Sequence, residues 1–440
     1  MGWTQVSTTR WERPLGGMEE YLAYTGNISA ALYDGRLQYN IFSKVKVELN
    51  IANAEFALRH AWKQIRYEEP DIATTLEEGK KVYEVATDTE LENWLQSTFV
   101  VDYERDAEEL YREGRKQKPA TLYYLPRTSE LVLHVHHSTA DGIGVIMWWD
   151  KYFRALTNPN HDFTFGEEYT RLAPALEDVI GAKDLTPEQV EQGSVLLYEY
   201  ITKLPAIGFP SKIGKAPAGQ CQSLEHVFNE ETTRAIIVAC KKRGITVTAA
   251  VHAAYIRVLS KYADSDSNTT RYTSPCEFNI RQYLPPPYNT VAASNYYIPL
   301  PYSINLPASF WELTQHLNHY YRNQIKENPY ILEVNDAFTT TLTEVVKSPE
   351  YQSAPIPTDA LVSSLGLVEN YLQRSYGDGV VVHDWKLACD VVLGMNGLHI
   401  YTFRDRLRMV SQFNDGYQEP ETMKHYHDEI ERVLREELLG

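Results

Sequence analysis

Apolar and polar residues alternate along QYNIFSKVKVELN, residues 38–50, with Ile41, Val45, Val47 and Leu49 in step. A period of two predicts a half-buried strand. The period then lengthens: Phe56, Ala57, Ala61 and Ile65 recur at helical spacing, and Asn50 or Asn53 is placed to cap that helix. A strand around residues 81–86 and a helix through residues 102–115 follow. ATLYYL and ELVLHVHH read as two strands joined by the turn Pro126-Arg127-Thr128-Ser129. GIGVIMWWDKYFRALTN returns to helical spacing and stops before Pro159.

The pattern weakens over residues 158–219, where DLTPEQVEQ marks a helix start and LPAIGFPSKIGKAPAGQ is rich in Pro and Gly. Beyond it SLEHVF predicts a strand. NEETTRAIIVACKKRG predicts a helix opened by Asn229 or Glu231 and ended by Gly244, and Thr246 caps a further one. RYTSPCEFNIRQYLPPP is a strand with a Pro stop, and residues 309–325 form a long helix. SLGLVENYL, VVHDWKLACDVV, GLHIYTFRD and RLRMVSQFN are strand candidates, and residues 419–439 close as a helix. Both halves mix strands and helices, which predicts an α/β chain of mixed sheets with helices on a face. The expected division is residues 1–180, a crossover over 181–220, and residues 221–440.

The length, 440 residues, suits two domains, and 43% hydrophobic with 23% charged residues is a globular composition. A net charge of −17, with acidic runs at residues 104–113 and 428–437, repels phosphate backbones and argues against a nucleic-acid partner. Cys221, Cys240, Cys276 and Cys389 lie far apart with no zinc spacing, and read as reduced, mostly buried thiols. No window is apolar enough for a membrane span, the N-terminal residues lack an apolar leader core, and Val6 breaks the myristoylation pattern. A cytoplasmic protein without a membrane partner is the expectation.

One stretch carries candidate chemistry. HVHHSTADGIGV, residues 134–145, holds three of the chain's 13 histidines within four positions. Strand alternation puts His137 on the face of Leu131, Leu133 and Val135, and His134 and His136 on the other. Neighbouring His136 and His137 therefore cannot share a task. Asp141 then Gly142 suggests a tight turn into a helix, with Gly142 supplying positive φ or close packing. His134 and His136 could share a zinc ion, but no other ligand-rich segment supports a metal. A Ser-His-Asp hydrolase wants a GxSxG elbow, which is absent. A general base remains, since an imidazole near its ordinary pKa accepts protons at neutral pH.

HHSTADG, His136 to Gly142, fits the HHxxxDG motif, and through it the chain resembles the CoA-dependent acyltransferase superfamily. That group spans chloramphenicol acetyltransferase, BAHD-type acyltransferases and the condensation domains of peptide synthetases. CEFNIRQYLPPP resembles the family's strand whose Arg pairs with the motif Asp and ties the domains together, here Arg281 with Asp141. LVSSLGLVEN resembles the family's S-N-x-G strand through Ser363 and Gly366, with Ser364 replacing the usual Asn. The plant D-F-G-W-G motif has only His383-Asp384-Trp385 near its place, so the resemblance leans to fungal trichothecene-type O-acetyltransferases.

What the resemblance implies is a pseudo-dimer of two chloramphenicol-acetyltransferase-like domains with a tunnel between them, sufficient as a monomer. His137 would be the general base, with His136, Asp141, Arg281 and Gly142 structural at the site. A hydroxyl or a backbone N–H near Gly142 would hold the oxyanion. The co-substrate would be acyl-CoA, with no permanently bound cofactor. The acyl group, acetyl or another short one, would pass to a natural-product hydroxyl. Two alternatives stand beside it. One is a condensation-like enzyme taking its thioester from an acyl carrier protein. The other is a cyclase or isomerase that has recruited the fold. Trp148-Trp149 are expected in the core, and His425-Tyr426-His427 on a solvated helix face.

Overall fold

The computed structural model describes residues 2–113, 119–182, 185–264, 269–328, 330–353 and 360–440. They form two compact units, and neither is a continuous stretch. The first takes Met1–Asp184, Asn279–Tyr297 and Val368–Asp390; the second takes Leu185–Phe278, Ile298–Leu367 and Val391–Gly440.

The first unit is built on a mixed six-stranded sheet. Its order is Ser375–Tyr376, Val380–Cys389, Asn40–Leu49, Glu130–His136, Thr121–Leu125 and Phe99–Val101. Only the last pairing is parallel. Val380–Cys389 belongs here, far from its sequence neighbours, because it hydrogen-bonds along all of Asn40–Leu49, from Leu49↔Val380 to Ile41↔Cys389. The expected turn at residues 126–129 joins the central strands, with Ser129 at φ 56°. The helix Gly142–Thr157 packs on the helix Ala54–Glu68 through aromatic groups. Trp62 and Trp148 meet edge to face at 5.5 Å. The Trp149 indole donates to Ser43 Oγ, and Tyr152 OH donates to the Leu58 carbonyl. Trp148-Trp149 are core, as expected, whereas Phe56 is 72% exposed and Trp62 fills the buried face instead. A small antiparallel sheet completes the unit, in the order Thr4–Gln5, Arg10–Pro14, Lys80–Glu84, Thr75–Glu77.

The second unit has its own mixed six-stranded sheet. The order is Tyr297–Asn305, Arg271–Asn279, Ala360–Leu367, Asn396–Phe403, Arg406–Asn414 and Cys221–Val227. Thr246 and Asn229 cap their helices through side-chain oxygens, as their positions predict. Within residues 181–220, DLTPEQVEQ starts a helix as its sequence predicts. That helix, Pro187–Ile201, is seated so closely on Ile331–Lys347 that a Cβ on Gly193 would lie 2.5 Å from that of Ala337.

Departures from the sequence reading have local causes. The helix expected over 102–115 shrinks to Ala107–Arg112 because the Asp102 carboxylate accepts from the N–H groups of Glu104 and Arg105, a turn that competes with helix. Its expected end at 114–115 lies outside the described residues. The strand Tyr297–Asn305 was hidden by Pro299 and Pro301, which an edge strand tolerates. The helix Ile331–Lys347 was hidden by its threonines, three of which bond back to carbonyls four residues earlier. The helix Asp88–Thr98 carries a Thr87/Glu90 capping box that the spacing argument passes over. His427 is buried, not solvated: its Nε2 meets Ser411 Oγ at 2.7 Å, and Tyr426 stacks on Phe209. A terminal amphipathic helix, Pro420–Leu434, turns these residues to its apolar face. Among the described residues no helix is long and apolar enough to cross a membrane, all four cysteines are free and buried, and no cluster could hold a metal.

One half-buried charge set links the first sheet to its covering helix. Glu108 meets both Lys44 and Lys386 at 2.9 Å. Burial would raise the Glu108 pKa, but the two ammonium groups overcome it and hold the carboxyl down to about 2, against an ordinary 4.5. A depressed carboxyl stabilises the fold fully above its unfolded value and loses that effect as pH falls through the folded one. Urea unfolding should therefore show Glu108→Gln less stable than wild type near pH 6. The gap should close as pH drops from about 4.5 to about 2; a gap independent of pH would show that charge is not its source.

Candidate functional site

The strand Glu130–His136 ends on the histidines, and the helix starting at Gly142 opens six residues later. Each imidazole has a different neighbour. His134 Nε2 lies 3.5 Å from an Asp390 carboxylate oxygen. His136 Nδ1 is 2.8 Å from Ser138 Oγ, and its Nε2 is buried without a partner beside Gly26, where a Cβ would come within 2.8 Å of it. His137 Nδ1 faces Asn295 Oδ1 at 3.3 Å, and its ring centroid is 5.6 Å from that of Tyr297. Burial, with neighbouring His137 and His134 adding to it, pushes His136 down to about 4. Burial also lowers His137, against the opposing pull of its own backbone, the Asp141 charge and Asn295. Both shifts favour the neutral imidazole. His136 is closed in; Nε2 of His137 makes no hydrogen bond among the described residues.

Asp141 does not touch His137 through a hydrogen bond. It is the N-cap of the helix: Oδ1 accepts from the Gly144 N–H at 2.7 Å. Oδ2 accepts from the Tyr296 N–H at 2.8 Å, and Arg281 Nη1 donates to both oxygens at 3.0 and 2.8 Å. Arg281 spends its remaining donors on the Val291 carbonyl and on the carbonyl and hydroxyl of Ser294. The structure thus brings Asp141 and Arg281 together, each side chain 4% exposed. Arg281 sits in the stretch Asn279–Tyr297, so the pair lies inside the first unit.

That stretch supplies residues with no motif to mark them. Glu69 Oε2 accepts from the N–H groups of Ala292 and Ala293 while its other oxygen takes Lys151. The Asp141 N–H donates to the Ser294 carbonyl. Asn295 is thereby held between pinned neighbours. Gly142 opens the helix and has no positive φ. A close approach is seen at Gly144, where a Cβ would lie 2.2 Å from the Ala292 carbonyl oxygen.

Ser363, Ser364 and Gly366 belong to the second unit, on the strand Ala360–Leu367. Ser364 Oγ bonds Thr248 Oγ1 at 2.8 Å, and Gly366, at φ 69°, takes up the bulge that shifts the register against Asn396–Phe403.

No protein-family model matches the chain. Among curated proteins it is 27% identical to acetyltransferase pigO of Monascus ruber, over all of this chain and 98% of the relative. It is 28% identical to O-acetyltransferase pigM of the same organism, over 87% of this chain and 76% of the relative. Among solved structures, TRI3 trichothecene 15-O-acetyltransferase from Fusarium sporotrichioides superposes with a TM-score of 0.84 at 15% identity, covering 98% of this chain and 97% of that one. The EpoB cyclization-docking bidomain from Sorangium cellulosum follows with a TM-score of 0.69 at 13% identity, covering 97% of this chain and 86% of that one. The fold is shared with this trichothecene acetyltransferase and this cyclization domain, and the named relatives support an acyltransferase.

Removing one member of a buried, bonded ion pair costs about 3–5 kcal/mol, because a charge is left alone. Arg281→Met should lower unfolding free energy by about that amount in urea melts. Arg281→Met combined with Asp141→Asn should recover part of it, since Asn keeps the helix cap without the stranded charge. Equal loss in the single and double variants would mean that the charge on Asp141 is not what Arg281 offsets.

Proposed function

We propose that the protein transfers an acyl group, acetyl or another short one, from a coenzyme A thioester to a hydroxyl of a natural product, with His137 as general base. The observation that carries this is the His137 ring. Burial favours its neutral form, its Nδ1 faces Asn295, and its Nε2 makes no hydrogen bond among the described residues. The acceptor oxygen attacks the thioester carbonyl as Nε2 removes its proton. The tetrahedral adduct then collapses, the C–S bond breaks, and the departing thiolate takes the proton back from the imidazolium. Thiolate is a good leaving group, so positioning the two reactants supplies much of the rate. An acetyl donor and a fungal secondary-metabolite acceptor follow the names pigO, pigM and TRI3 carry.

In this reading Asp141 and Arg281 hold the turn and do not touch substrate, and His136 fills the wall behind the base. Ser363, Ser364 and Gly366 are proposed to line the substrate path, with the Ser364 hydroxyl committed to Thr248. The likeness to a cyclization domain keeps a second reading in play, a thioester presented by a carrier protein.

Free-thiol release from acetyl-CoA with a panel of hydroxylated fungal metabolites tests both. Wild type should turn over, and His137→Ala should lose about 10²- to 10⁴-fold in kcat. The base works only when neutral and its pKa is lowered, so kcat/KM should stay flat from neutral pH down and fall only below the ordinary histidine value of 6.5. Consumption of carrier-bound thioester with no release from any acyl-CoA would favour the second reading. Turnover that survives His137→Ala would remove the base from the mechanism.

A further inference from the structure

We infer that Gln412 and His399, with Ser363, form a subsite on the second unit's sheet that holds a neutral hydroxyl of the acceptor, one other than the hydroxyl acylated. This rests on the acyl-transfer reading, in which Ser363 lines the substrate path. Strand pairing sets these residues side by side. Ser363 lies directly opposite His399, and Gly397 directly opposite Gln412. Paired residues share a face and alternate residues return to it, so Ser363, Gly397, His399 and Gln412 stand on one side of the sheet. The other side carries Leu398, Ile400 and Met409, all buried. There Ser364 bonds Thr248 of the helix Val247–Tyr262, and Ser411 lies 2.7 Å from His427 of the helix Pro420–Leu434. That side is an ordinary apolar core.

The face turned away from those helices is shielded yet polar. Gln412 is 3% exposed and His399 5%. The Gln412 side chain lies flat over Gly397, where a Cβ would come within 2.3 Å of its Nε2. That Nε2 is 3.5 Å from His399 Nε2. An amide nitrogen only donates, so the imidazole nitrogen accepts and the amide carbonyl is turned elsewhere. The carbonyl oxygen, Oε1, is buried and has no hydrogen-bond partner among the described residues. An acceptor shut away from water without a donor is unfavourable, and an apolar side chain of the same shape would avoid that. Charge on this face is already matched: Glu225, in the row of His399 and Val410, accepts from Arg408 Nη1 at 2.9 Å and from Tyr401 OH at 3.2 Å. The group that completes Gln412 is therefore an uncharged donor, and a hydroxyl is what the acceptors of this reading carry. Such a contact discriminates, because a ligand lacking the hydroxyl leaves the buried oxygen unpaired. Gln412 is a specificity-determining residue, and Gly397 makes its seat.

Ligand-observed NMR without acyl-CoA reads this subsite apart from turnover. The probes are the hydroxylated fungal metabolites of the thiol-release panel and, for each that binds, analogues with a single hydroxyl replaced by hydrogen. At least one metabolite should bind wild type and weaken about tenfold in Gln412→Met, the share of one hydrogen bond. One of its deoxy analogues should bind wild type about as weakly and be indifferent to that substitution. Gln412→Glu keeps an accepting oxygen, so it should keep or widen the gap between parent and deoxy compound. In the thiol assay Gln412→Met should raise the KM of the acceptor and leave that of acetyl-CoA unchanged. The inference is overturned if no metabolite binds, if wild type and Gln412→Met bind alike, if the gap closes in Gln412→Glu, or if only the acetyl-CoA KM moves. Should Gln412→Met not fold, the gap in Gln412→Glu decides. Hydroxyl-dependent binding in a protein that releases no thiol would sink the acyl-transfer reading and leave the subsite standing. Thiol release with an acceptor KM unmoved by Gln412→Met would do the reverse.

Discussion

The buried contact between Asp141 and Arg281 is the constraint on which the site depends. An ion pair out of water is not stabilising in itself, because desolvation offsets the attraction. Here each charge is saturated: the carboxylate also caps a helix and takes the Tyr296 N–H, and the guanidinium also binds Val291 and Ser294. One contact therefore fixes three things together, namely the start of the helix Gly142–Thr157, the position of Arg281, and the path of residues 291–296. Gly144 is part of the same constraint, since any side chain there would collide with the Ala292 carbonyl.

The histidines divide accordingly. Alternation along one strand sends adjacent imidazoles to different partners, Ser138 for His136 and Asn295 for His137. Burial lowers both, yet only one has a nitrogen left for chemistry. A ring enclosed beside Gly26 can shape a wall; a ring anchored at Nδ1 alone can accept a proton at the other end.

Much of this was legible in advance. The strand–turn–helix around HHSTADG is a local pattern, and local patterns are carried by periodicity, capping residues and turn chemistry. The pairing of Asp141 with Arg281 was reached only through a family resemblance, since no spacing rule links residues 140 positions apart. Asn295 was not reached at all. AASNYY has no periodicity or charge to set it apart, and its importance comes from what pins its neighbours. The close approach at Gly144 was not reached for a related reason: it is a property of two segments, and the second was unknown. Likewise the strand Val380–Cys389 was recognisable as a strand, but not as a neighbour of Asn40–Leu49.

By itself, then, the sequence determined which segments are strands and helices wherever period and caps agree, and which residue types stand at the turn. It also set apart His137 from His136, because two-residue alternation is intrinsic to an extended chain. Only the tertiary structure decided which stretches share a unit, which glycine must lack a side chain, and which side chain meets His137 Nδ1. Those are contacts between residues far apart in the chain. They are settled by long-range pairing and by the need to satisfy every buried donor and acceptor, and neither is written in any one segment.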